Sequence, residues 1–124
     1  DRSPETRHII NTESISTMKD GALIVNTGRG GLIETKSLIT GLKQKKIGGA
    51  ALDVYEEEEN YFFSDFSNEG IDDDDLSRLV TFPNVIVSSH QAYLTDTSLM
   101  EISSTTLDNI LSWKSGCLIN QVKR

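Results

Sequence analysis

Three short apolar runs, separated by helical patterns, most constrain what this chain can fold into. The first, Ala22 to Asn26, is continuously apolar in the manner of a strand buried on both faces. Before it, Asn11 can cap a short helix carrying Ile15 and Met18, and Gly21 closes that helix where left-handed backbone is needed. After it, Thr35 caps a second helix with Leu38, Ile39 and Leu42 on one face. Lys43, Lys45 and Lys46 lie near its end, where cations suit the helix dipole. Gly48-Gly49 breaks that helix, and Ala50 to Val54 forms a second strand whose small residues demand close packing. A long acidic stretch with a helical turn at Asp75 to Leu79 runs to Pro83, and Asn84 to Ser88 is the third strand. A final helix begins near Thr95 or Ser98, where Ser98 and Glu101 make a capping-box pair. It points Leu99, Ile102, Thr106, Ile110 and Trp113 inward and ends at Gly116. Strands alternating with helices predict an α/β fold with a parallel sheet and right-handed crossovers.

That topology carries a functional consequence, because such sheets bind ligands beyond the carboxyl ends of their strands. Past the first strand, Gly28-Arg29-Gly30-Gly31 presents an arginine between residues small enough for close backbone approach. A guanidinium there offers a planar fork of donors for a carboxylate or phosphate, although alone it reads more readily as a surface arginine in an ordinary loop. Past the second strand come the carboxylates beginning at Glu56, and Asp53 at its end is a charge that needs a polar partner or a ligand. Past the third comes His90. A lone histidine in that place is most often a hydrogen-bonded loop residue. Beside an arginine and a carboxylate it becomes a general acid/base, its tautomer held and its pKa raised by the acid.

The chain's 124 residues, 36% of them hydrophobic, suffice for one modest core. Its net charge of −7 is local: ten of the 19 acidic residues fall between Glu56 and Asp75, leaving the remainder mildly positive. This balance argues against nonspecific nucleic-acid binding. A single cysteine, Cys117, suits a reducing compartment. No apolar run reaches membrane-spanning length and no apolar leader opens the chain, so the expectation is a cytoplasmic protein, an organelle not excluded, without a membrane partner. One cysteine with His8 and His90 cannot build a zinc cluster, and no metal site is expected. Residues 65–70 hint at a calcium loop, but Leu76 stands where its closing glutamate belongs. Ile33 occupies the place of the third glycine of a dinucleotide fingerprint, so Gly28 to Gly31 is not that motif.

Four segments in order resemble the D-isomer-specific 2-hydroxyacid dehydrogenases: Thr6-Arg7-His8-Ile9-Ile10-Asn11, Ile24 to Gly31, Ala51 to Glu58, and Pro83 to Ala92. The Tyr55-Glu56-Glu57-Glu58 run, the acidic insert and His90-Gln91-Ala92 are most similar to the D-lactate dehydrogenase branch. The resemblance implies half of a Rossmann-like doubly wound parallel sheet, about three strands with flanking helices, plus a C-terminal helix over 95–116. It implies NAD as cofactor, a small 2-oxo or 2-hydroxy acid such as pyruvate or D-lactate as substrate, and a homodimer for the full-length protein. By position, it places the substrate-binding arginine on Arg29, the acid/base on His90 and its paired glutamate on Glu58. Cofactor contacts fall on Thr6, Thr27, Gly28, Arg29 and Asp53, with Asp53 near the nicotinamide carboxamide. The family's glycine-rich fingerprint and separate substrate domain are expected upstream of these 124 residues, so the segment alone should be poorly active. Ser89 and Glu59 stand where prolines are frequent, and residues 1–3 depart from the usual lead-in. Two other readings stand beside the enzyme: an NAD-sensing, corepressor-like regulator of the same superfamily, and an inactive truncated remnant.

Overall fold

A computed structural model of the chain describes residues 5–58 and 73–122. Most of the long acidic stretch (residues 59–72), with its calcium-like residues 65–70, and the lead-in residues 1–3 lie outside them. The chain divides into two compact units, residues 1–91 and 92–124.

In the first unit the order is α1 (Thr12–Thr17), β1 (Ala22–Asn26), α2 (Thr35–Lys43), β2 (Ile47–Leu52), α3 (Asp74–Val80) and β3 (Val85–Val87). The three strands are all parallel in the order β1-β2-β3, as the alternating pattern predicts. Asn11 caps α1, its side chain accepting from the amides of Glu13 and Ser14. Aspartate does the same for α3, where Asp73 accepts from Leu76 N at 2.9 Å.

The register sorts side chains by face. Ile24, Ala50 and Val85 share one row, and Asn26, Leu52 and Val87 another, all turned toward the core. That core gathers Ile15, Leu38, Ile39, Leu42, Leu76 and Leu79 from the three helices. The row between them, Val25, Ala51 and Ile86, faces the other way. Val25 is 71% and Ile86 68% exposed, and Leu23 on the same face is 78% exposed. β1 was expected to be buried on both faces; it is buried on one, because among the described residues the helices of this unit all pack against one side of the sheet.

Other boundaries also shift. Gly48 and Gly49 lie inside β2 rather than breaking α2, which ends at Lys43 with Lys45 in left-handed backbone. Strand packing explains the glycines: a Cβ on Gly48 would stand 2.5 Å from Gly21 O, and one on Gly49 2.8 Å from Asn84 O. The first helix closes at Met18, and Gly21 (φ 78°) turns the chain into β1. Thr35 does not cap α2; Glu34 holds that position, and Thr35 is the first helical residue.

The second unit contains α4 (Asp96–Ser115), which ends on left-handed Gly116 as expected. Its cap is Thr95, whose hydroxyl accepts from Ser98 N, and not the Ser98–Glu101 pair. The inward face predicted for Leu99, Ile102, Thr106, Ile110 and Trp113 is not realised: no residue of α4 is buried. The unit has no second helix or strand among its described residues against which that face could close. Among the described residues, no helix is long and apolar enough to cross a membrane.

Candidate active site

Four loops meet at the carboxyl edge of the sheet. The first follows β1. Asn26 builds it with its own amide, Oδ1 accepting from Gly28 N at 3.1 Å and Nδ2 donating to Arg29 O at 2.9 Å. Thr27, Gly28 and Arg29 are exposed, and the Arg29 guanidinium donates to Gly28 O at 3.0 Å. Gly30, by contrast, is buried against the second loop: a Cβ there would lie 1.9 Å from Tyr55 O, so only glycine lets the two backbones touch.

The second loop follows β2. Asp53 is buried and accepts at one oxygen, Oδ1, from Ser88 Oγ (2.5 Å) and Gln91 N (2.6 Å), while its carbonyl accepts from His90 N at 2.7 Å. The polar partner its burial demanded is therefore the third loop, after β3. Glu58 folds back so that Oε2 accepts from Tyr55 N at 2.9 Å, and the same oxygen lies 3.2 Å from His90 Nε2. Glu58, 8% exposed, is thus brought beside His90. Ser89 and His90 both have positive φ, 50° and 59°, a conformation costly for non-glycine residues and held here by the three bonds to Asp53.

The fourth loop is the segment around Thr6. His8 N donates to Gly31 O and Ile10 N to Leu32 O, and Glu34 N donates back to Ile10 O, laying residues 8–10 alongside the arginine turn. Glu56 closes the group. Its Oε1 accepts from His8 Nε2 (2.5 Å) and Arg7 Nη2 (3.3 Å), and its Oε2 from both the amide and hydroxyl of Thr35 (3.2 Å each). Burial pushes the Glu56 carboxyl up, but the bonds from His8 and Thr35 outweigh it and hold the group below its ordinary pKa.

Arg29, Glu58 and His90 therefore stand on loops after three adjacent parallel strands, on one edge, with Asp53 tying the second loop to the third and Gly30 seating the first on the second. Sequence reasoning missed Asn26, Ser88 and Glu56 as parts of this scaffold. Asn26 had a signal, since an asparagine ending an apolar strand before Thr-Gly is suited to an Asx turn. Glu56 had none that separates it from its acidic neighbours, as its partners are distant in sequence. Among the described residues no group of three His, Cys, Asp or Glu side chains is placed to hold a metal ion.

The family model of the D-isomer specific 2-hydroxyacid dehydrogenase, NAD binding domain, matches residues 2–92. The chain belongs to this family. It is 56% identical over 105 residues to 2-hydroxyacid dehydrogenase A of Aspergillus oryzae (strain ATCC 42149 / RIB 40), covering 85% of this chain and 30% of that protein. To D-lactate dehydrogenase of Escherichia coli (strain K12) it is 45% identical over 114 residues, covering 92% and 35%. Among solved structures, D-lactate dehydrogenase with NAD+ from Lactobacillus jensenii superposes with a TM-score of 0.86 at 31% identity, over 98% of this chain and 37% of that one. These 124 residues thus span well under half the length of such dehydrogenases. The open parallel sheet with flanking helices is Rossmann-like, as its neighbours are.

Proposed function

We propose that the chain is the C-terminal part of the cofactor domain of an NAD-dependent D-2-hydroxyacid dehydrogenase that interconverts pyruvate and D-lactate. The observation that carries this reading is the Glu58–His90 pair at 3.2 Å, on the same sheet edge as Arg29. A 2-oxo acid offers a carboxylate for a guanidinium and, one carbon away, an oxygen that must gain a proton when it is reduced.

In this reading Arg29, exposed on its glycine turn, binds the substrate carboxylate and helps polarise the 2-oxo group. Protonated His90 donates its proton to that oxygen. Glu58, 3.2 Å from the ring nitrogen, keeps the ring oriented. In the oxidative direction neutral His90 takes the hydroxyl proton. NAD, when bound, supplies the hydride chemistry. Thr6, Thr27, Gly28, Arg29 and Asp53 would hold its nicotinamide end. The donor set fits that role: two hydroxyls, a cation and a buried carboxylate share one rim, and a Cβ on Gly31 would meet nothing within 4 Å. A cytoplasmic location and a homodimer belong to the same reading, and sedimentation of the longer protein tests the latter. The Aspergillus oryzae and Escherichia coli relatives carry dehydrogenase names, which does not favour a corepressor-like role.

The test is pyruvate-dependent NADH oxidation by the full-length protein. His90→Gln should lower kcat by on the order of a hundred- to ten-thousandfold, the usual contribution of a positioned proton donor. Wild-type protein without turnover, or a variant with undiminished turnover, would remove the acid/base reading.

A further inference from the structure

Glu56 links segments that lie far apart in the chain. One oxygen holds His8 Nε2 and Arg7 Nη2, the other holds the first amide and hydroxyl of α2, and its backbone carries the turn that ends in Glu58. Its side chain is 14% exposed, so water competes little for these bonds. Two more contacts bind the turn into the same knot: Tyr55 N donates to Glu58 Oε2, and Gly30 abuts Tyr55 O.

We propose that Glu56 is a positioning residue, fastening the residue 6–10 segment and the start of α2 to the 55–58 turn so that Glu58 is held against His90. This rests on the dehydrogenase reading of that pair. The physical reason is the shortness of the turn. Glu56 and Glu58 are two residues apart, so a turn released at Glu56 shifts the Glu58 carboxylate relative to His90, whose backbone amide is held by the Asp53 carbonyl at the end of β2. Displacements of about an ångström in such an array cost on the order of a hundredfold in rate. Among the described residues, the charged groups paired with Glu56 are Arg7 and His8.

The experiment uses the full-length enzyme with pyruvate and NADH, comparing wild type, Glu56→Gln and His8→Asn; asparagine suits the left-handed backbone at position 8 (φ 54°). Expected are a kcat lowered by on the order of ten- to a hundredfold in Glu56→Gln, and a smaller fall in His8→Asn. KM for pyruvate should stay within about threefold of wild type in both, because Arg29, which binds the substrate carboxylate, is untouched. A residue that merely supports the fold would reduce the amount of active enzyme and leave kcat per folded molecule in place. Both variants with kcat per folded molecule within about twofold of wild type would overturn the proposal and leave the function intact. If Glu56→Gln does not fold, the kcat of His8→Asn decides alone. An inactive wild type would instead remove the reading beneath it.

Discussion

At the residue scale, conformations that only certain side chains tolerate hold the site. Ser89 sits at φ 50°, which proline cannot adopt because its ring locks φ near −65°. Ser89→Gly should keep turnover and gain about 1 kcal/mol of stability in urea titration by relieving the left-handed backbone. Gly30→Ala is the complementary case. Its Cβ would fall 1.9 Å from a backbone carbonyl that cannot rotate aside, so a loss of about 3 kcal/mol is expected, at the upper end for overpacking. Glu56 adds a pH signature. Its folded pKa lies below the unfolded value, so its stabilisation is present above that unfolded value and fades as pH falls through the folded one. Stability curves of wild type and Glu56→Gln, measured by denaturant titration, should be separated at neutral pH and converge in acid.

Elements meet through a few polar junctions as much as through the core. Tyr55, just past β2, donates to Asp73 Oδ2 at 2.8 Å while Asp73 Oδ1 caps α3, so one carboxylate joins the strand end to the helix start. Burial, reinforced by Asp73, raises the Tyr55 pKa far above the ordinary phenol range. A raised pKa stabilises fully below the unfolded value of about 10 and is lost as pH climbs through the folded one. Tyr55→Phe should cost about 1 kcal/mol at pH 7 for the lost hydrogen bond, and the variant should lose less stability than wild type on going to alkaline pH. The strand positions and the end of α4 at Gly116 were legible from apolar runs and turn residues, because those signals are local. The extent of β2 was not, since Gly48 and Gly49 read as breakers until the backbones beside them are seen.

At the scale of the whole molecule, apolar surface is left over. Leu23, Val25 and Ile86 lie bare on one sheet face, and in the second unit Met100, Leu107 and Trp113 are each more than half exposed. Protein made from these 124 residues alone should bind an apolar dye at neutral pH and elute above monomer size, as exposed patches of this kind associate. A dye-silent monomer would show that the patches rearrange. By itself the sequence determined the α/β alternation, the parallel sheet, and the candidate positions Arg29, Glu58 and His90. Period, capping and order along the chain encode these, and resemblance named the roles. Only the tertiary structure decided which sheet face is covered. It also decided that Glu56, His8 and Thr35 form one junction. Burial and pairing between residues dozens of positions apart depend on how strands stack in space, and no local pattern carries that information.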